Sequence, residues 1–288
     1  MILTANKANK INLFVRYLEV AGFVAIWMAL GWLLRLDSDA YLLLGVPLLL
    51  LFQLVVRHRP VRQLWVRDPE QPLRFDWVAA VLSLVLMAVP AYLLFAFALP
   101  QRLWVDAGWA LCALVGGGIA GWVLRNQRAD ALKRGLPSFI VAVLIGWALF
   151  IVAALLSGRS PMVALDRMPS VLIDLLKYFA VTFVLEEVAF RGALDSHIYP
   201  PSEKSTRIHA WVSAIFVSAV WGLWHWPIEA LEPGQTVVEL VALLLIVHTA
   251  IGVPSSFSWR QSGTLVLPAL AHALIDAYSE RRHVLEHD

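Results

Sequence analysis

The sequence predicts an all-α, polytopic transmembrane bundle of eight or nine membrane helices. Three observations carry that prediction. Of the 288 residues, 60% are hydrophobic and only 15% are charged, whereas soluble domains carry roughly one quarter charged residues. Mean hydropathy is +0.71. Apolar stretches long enough to cross the hydrocarbon, roughly 20 residues each, recur along the whole chain.

By that template, spans are expected near 18–34, 40–56, 77–99, 103–124, 137–157, 171–190, 209–228, 236–253 and 264–279. The second is short and contains Pro47, which favours a tilted or partly re-entrant path. Pro90 and Gly116-Gly117-Gly118 are candidate breaks in the third and fourth. Pro200-Pro201 must stop the helix that follows the sixth apolar run. The ninth is short enough to end partway, and this leaves the choice between eight and nine. No repeat period and no low-complexity linker is visible, so the chain reads as one helical membrane domain. Met1 to Asn12 is short and polar, with no A-x-A-like site after a brief apolar core, and no cleaved signal peptide is expected.

Basic residues orient the bundle. With the N-terminus inside, 16 of the 23 Lys and Arg fall in cytoplasmic segments and 6 outside, Lys177 lying within a span. The discordant pair is Arg281-Arg282, which an incomplete last span would return to the cytoplasm. The N-terminus is therefore expected in the cytoplasm, with the protein in the cell membrane. A formal net charge of +2, without a basic patch interleaved with aromatics, argues against a nucleic-acid partner. The single cysteine, Cys112, excludes an intramolecular disulfide and a Cys-x-x-Cys metal site; its Ala-, Leu- and Gly-rich surroundings suit a packing residue. Asp174 and Lys177, near a span end, are expected to snorkel, and Lys204 and Arg207 to be solvated loop charges.

Ionisable groups at membrane depth are expensive and mark functional sites. Three apolar runs carry them. The first reads Glu186-Glu187-Val188-Ala189-Phe190-Arg191, the second Trp221-Gly222-Leu223-Trp224-His225, and the third His272-Ala273-Leu274-Ile275-Asp276. Glu187 and Arg191 are spaced i,i+4 with the acid first, the favourable order for a helical ion pair. Glu186 points about 100° away from Glu187 around the helix, which leaves it free for acid–base chemistry. His272 and Asp276 share one helix face, and Gly222 allows close helix approach beside Trp221. Counted from the loop near Tyr199–Ile208, Glu186 and His225 reach depths of roughly 20 and 25 Å, with His272 shallower. A funnel open to the cytoplasm lets all three meet. His248 lies on an apolar face with no acid nearby in sequence and reads as a packed or hydrogen-bonded histidine.

At these motifs, between Val171 and Tyr278, the chain resembles the CPBP family, the CAAX protease and bacteriocin-processing membrane peptidases. Members carry Glu-Glu-x-x-x-Arg, Phe-x-x-x-His and His-x-x-x-Asn or Asp. The Arg260-Gln261-Ser262-Gly263-Thr264-Leu265 run also looks like the family's approach to its last motif. The resemblance implies a glutamate-type intramembrane endopeptidase acting on membrane-associated peptides or proteins, with the active site opening to the cytoplasm. Glu186 and His225 then activate a water, and His272 with Asp276 stand where the family binds the oxyanion. Glu187, Arg191 and Trp221 support them, and no cofactor is implied. The chain divides accordingly into N-terminal helices of unassigned role over 1–170, a catalytic core over 171–280 and a polar tail over 281–288. Two departures stand out. Trp221 replaces Phe, read as a packing change. Asp276 replaces the commoner Asn, and an ionised Asp cannot donate to an oxyanion, so it is protonated, orients His272, or leaves that task to another group.

Three other readings use the same residues. Glu with two His can ligate zinc, although no His-Glu-x-x-His is present. Buried Glu, His and Asp also line transport paths, but such a transporter would have inverted, broken helices, and no such symmetry is visible. The third is a non-enzymatic binding protein of the immunity or membrane-assembly kind.

Overall fold

The computed structural model describes residues 2–68, 71–96, 103–156, 168–201, 205–231 and 233–279. Arg102, Arg159, Arg167, Lys204, the Arg281-Arg282 pair and the rest of the 281–288 tail lie outside them, as does the side chain of Lys177.

Among the described residues, ten α-helices follow one another: α1 (Ile2–Leu34), α2 (Ser38–Leu51), α3 (Trp77–Ala96), α4 (Leu103–Arg125), α5 (Ala129–Leu156), α6 (Met168–Val184), the single turn α7 (Ser196–Ile198), α8 (Arg207–Trp224), α9 (Val237–Ser262) and α10 (Val266–Ser279). Two π-helical stretches, Phe52–Val56 and Val188–Asp195, continue α2 and α6, and a 3₁₀ turn spans Val61–Leu64. Among the described residues the only β pairing is an isolated bridge between Val66 and Thr264. The chain is an all-α bundle, as expected.

Side-chain caps mark several helix starts. Asp37 accepts from the Ala40 amide, Asp76 from Ala79 and Thr206 from His209. Thr236 and Glu239 form a reciprocal capping box on α9, satisfying two amides that lack a helical partner. Gly263 closes α9 with φ of 72°, a conformation that glycine adopts without steric cost.

Among the described residues, five helices are long and apolar enough to cross a membrane: Leu13–Leu34, Ser38–Val56, Trp104–Arg125, Ala129–Leu156 and Val237–Ser262. Trp77–Tyr92 and Val266–Ala277 are shorter apolar helices. The stretch through α6 carries Asp174, Glu186, Glu187 and Arg191, which lowers its hydropathy. Large apolar side chains point outward, among them Leu33, Trp77, Trp104, Leu155 and Val238, as lipid contact requires, while Glu187, Arg191 and Asp195 are buried. The protein is a multi-pass membrane protein.

The suspected breaks are continuous helix. α2 runs through Pro47 and α3 through Pro90. The three glycines of α4 serve close approach instead. A Cβ on Gly116 would lie 2.1 Å from the Ala180 carbonyl oxygen of α6, and one on Gly117 would lie 2.2 Å from that of Leu86 of α3. Small residues at such positions let backbones approach, the usual basis of helix packing in lipid. α6 is thereby central, packed against α3, α4 and α10, while α9 joins α5 to α8.

The N-terminal helices brace this centre. Trp27 of α1 donates its indole N–H to the Tyr41 carbonyl at 3.0 Å, and the Tyr41 hydroxyl donates to the Trp224 carbonyl at 2.9 Å. The rings of Trp27 and Tyr41 each lie 5.0 Å from that of Trp224. Gly45 makes room for Trp27, since a Cβ there would fall 2.0 Å from its ring. Gly45→Ala should therefore cost about 1–3 kcal/mol through overpacking. Gly22→Ala, where nothing lies within 4 Å, should be neutral or stabilising. Thermal unfolding of the two detergent-purified variants checks the contrast; equal midpoints would refute the packing account.

Candidate active site

The acid-bearing helix changes pitch at the site. α6 ends at Val184, Glu186 and Glu187 follow, and the π-helical turn Val188–Asp195 is buried along its whole length. A π-turn pairs its backbone i→i+5, and here side chains add bonds to its carbonyls. Arg57 donates to the Gly192 carbonyl at 3.1 Å, and Ser196 Oγ donates to the Arg191 carbonyl at 3.2 Å. Trp259 holds Ser196 Oγ in turn. Gly192 permits the contact with the loop, because a Cβ there would lie 2.2 Å from the Leu64 carbonyl oxygen. Arg260 grips Asp195 through two hydrogen bonds, Nε to Oδ2 at 3.0 Å and Nη2 to Oδ1 at 2.5 Å.

The structure brings the three polar motifs together. Glu186 Oε2 lies 3.6 Å from His225 Nε2 and 3.9 Å from His272 Nε2, and accepts a hydrogen bond from Trp221 Nε1 at 3.0 Å. Trp221 is thus a donor to the acid as well as a packing residue; a phenylalanine would leave that oxygen without this bond. Glu186 and His225 are each about one-seventh exposed, at 14%, so the pair is shielded without being sealed. At 3.6 and 3.9 Å the imidazoles are too far for direct hydrogen bonds to Glu186, and a bridging water fits such a spacing.

Glu187 is fully buried and faces the other way. Its Oε2 is 3.5 Å from Arg191 Nε, and its Oε1 accepts from His272 Nδ1 at 3.0 Å. The expected Glu187–Arg191 pair is present, but Glu187 is shared with His272. The Arg191 guanidinium stacks 4.3 Å from the Trp221 ring centroid, a cation–π contact suited to a desolvated arginine. Asp276 Oδ2 lies 3.4 Å from His272 Nε2, so His272 stands among three carboxylates.

Tautomers follow from the acceptors. His225 Nδ1 lies 2.9 Å from the Trp221 carbonyl oxygen, which can only accept. Its Nδ1 therefore carries a proton, and the neutral ring presents an Nε2 lone pair toward Glu186. α8 ends at Trp224 with His225 as its cap, so the imidazole sits in a turn at the helix end rather than inside the longer span expected.

One residue of the site was not assigned to it from the sequence. His248 of α9 hydrogen-bonds the Leu244 carbonyl at 2.8 Å, as a satisfied core histidine would, but its ring also lies 4.1 Å from that of His225 and 4.7 Å from that of Trp221. The only signal in the sequence was an ionisable group inside an apolar run. Gly222 permits the meeting, since a Cβ there would be 2.5 Å from the Leu244 carbonyl oxygen of α9. Among the described residues no group of three or more His, Cys, Asp or Glu side chains is arranged to hold a metal ion.

Residues 168–278 match the family model described as Type II CAAX prenyl endopeptidase Rce1-like. The match runs from α6 into α10, less than half of the chain, and contains all three motifs. It supports an intramembrane endopeptidase acting on membrane-associated peptides or proteins. No curated protein and no solved structure matches the chain.

The Glu187–Arg191 pair generates a stability test. Removing one partner of a buried ion pair costs about 3–5 kcal/mol, because the other charge is left uncompensated. Arg191→Met should lower the unfolding midpoint sharply, and adding Glu187→Gln should recover part of the loss. A double variant no more stable than Arg191→Met would show that the charge of Glu187 is not what Arg191 balances.

Proposed function

We propose that this chain, whose residues 168–278 match an Rce1-like type II CAAX endopeptidase, cleaves peptide bonds of membrane-associated substrates with a water activated by Glu186 and His225. The observation that carries the reading is the convergence of Glu186 Oε2 on the Nε2 atoms of His225 and His272, while the neighbouring acid, Glu187, is already engaged by Arg191 and His272.

A water held between Glu186 and the His225 Nε2 lone pair loses a proton to this pair as its oxygen attacks the scissile carbonyl. The tetrahedral oxyanion is met by His272, which as an imidazolium gives Nδ1–H to Glu187 and directs Nε2–H at the developing charge; preorganised donors of this kind often supply more of the rate acceleration than any other single device. Collapse breaks the C–N bond, and the leaving amine takes the proton that the water gave up. Asp276 Oδ2, 3.4 Å from His272 Nε2, favours the imidazolium by its charge and yields that N–H to the oxyanion rather than donating to it. Trp221 and Arg191 fix the two glutamates, and no metal takes part. The N-terminus is cytoplasmic, as the basic residues argue, and substrate enters from that side.

Two measurements test this. Glu186→Gln keeps the shape and removes the base. In the native host, mass spectrometry of the membrane fraction should show one or a few peptides losing their processed form while the variant accumulates at the wild-type level. An unchanged peptide profile would favour the transporter or immunity readings. For a peptide found in this way, cleavage by the purified protein should persist in the presence of a zinc chelator. Loss of cleavage that zinc restores would transfer the same residues to a zinc mechanism.

A further inference from the structure

A cavity of about 780 Å³ opens at the end of the bundle where the α2–α3 loop, the start of α5, the end of α7 and the α9–α10 turn meet. Its described lining holds seven arginines, no lysine, and only two aspartates, Asp68 and Asp130. The positive-inside tendency places arginines at this end of a membrane protein, but it leaves them free in solvent. Here several are built into the wall. Arg57 is anchored on Gln53 and the Gly192 carbonyl. Arg67 donates to the carbonyls of Tyr199 and Arg260, and Arg260 binds Asp195 and the Ala210 carbonyl. Arg67 Nε is shielded from water and has no hydrogen-bond partner among the described residues.

The wall is electrostatically crowded. Burial first, and then the neighbouring Arg59, hold Arg57 down to about 10. Burial also brings Arg67 down to about 10, with Arg260 opposing its charge and Asp195 favouring it. Asp195 pairs with Arg260 and Asp130 with Arg128 and Arg134, which still leaves the lining with more guanidiniums than carboxylates. The rigid forks of arginine match phosphate oxygens two at a time, and the volume lies within the usual range of ligand pockets, well above the need of one small ion.

We propose that this cavity binds an anion carrying at least two phosphate groups, supplied either by the headgroup of an anionic membrane lipid or by a soluble diphosphate. The neighbouring wall favours no further specificity: Arg59 reaches it from an exposed position, and Arg128 and Arg134 flank it in ion pairs with Asp130.

The test uses the full-length protein in detergent at constant ionic strength. Inorganic pyrophosphate should raise the thermal midpoint with a saturable dose response that chloride does not reproduce. Arg59→Gln with Arg128→Gln, both outside the acid–imidazole cluster and both exposed, should keep the ligand-free midpoint and weaken pyrophosphate binding at least about tenfold, since charge-assisted bonds to phosphate oxygens are lost. Cardiolipin in mixed micelles, compared with phosphatidylcholine, identifies the source. Displacement of pyrophosphate by cardiolipin alone assigns the cavity to a lipid headgroup, and pyrophosphate binding without displacement assigns it to a soluble ligand. Absence of saturable binding by both probes, or binding unaffected by the double substitution, would overturn the proposal. Were the double variant unstable, a wild-type midpoint that responds to pyrophosphate no more than to chloride would overturn it equally.

Discussion

A carboxylate without contact with water must be balanced on the spot, and Glu187 is such a group. Its two oxygens face Arg191, one helical turn on, and His272, from the last described helix. An isolated charge in an apolar interior is too costly to persist, so this three-way arrangement fixes how α6 and α10 sit together. With Glu187 turned that way, Glu186 is directed toward α8. Trp221 links the two acids, lying over Arg191 with its ring and reaching Glu186 with its N–H. The geometry around Glu186 thus follows from satisfying its neighbour.

The remainder of the bundle holds this arrangement from behind. Trp27 and Tyr41, far away in the chain, enclose Trp224, the residue next to His225, and Tyr41 caps the carbonyl at the end of α8. The N-terminal helices, which carry none of the three motifs, therefore position a motif residue. On the opposite side Arg57 and Arg260 hold the π-helical turn through Gly192 and Asp195. These are contacts between segments more than 60 residues apart, and they tie the π-helical turn to the α2–α3 loop and to α9.

The sequence made the helical class and the three polar motifs readable because both rest on local contrast, a long apolar run in the first case and a charged group inside one in the second. The i,i+4 spacing of Glu187 and Arg191 and the small size of Gly222 were readable for the same reason. What stayed hidden depended on tertiary geometry. His248 lies 23 residues from His225 in sequence and meets it only because α8 and α9 touch at Gly222. The indole bond to Glu186 could not be read from a position where an aromatic ring suits packing alone. Pro90 and the three glycines of α4 were misleading as breaks, because in lipid proline is tolerated inside helices and small residues often mark where a neighbouring helix comes close.

The mount of the acid-bearing turn has a consequence for how such a chain can change over time. Insertions are ordinarily tolerated in loops, whose lengthening costs little entropy. The loop after α2 is different up to Arg67, since Arg57 donates to the Gly192 carbonyl of the π-turn, Leu64 lies against Gly192, and Arg67 ties the loop to Tyr199 and Arg260. An inserted residue there would shift the Arg57 anchor relative to the two glutamates. This short connection should therefore keep its length wherever the acid-bearing turn is kept, and length variation is expected only beyond Arg67.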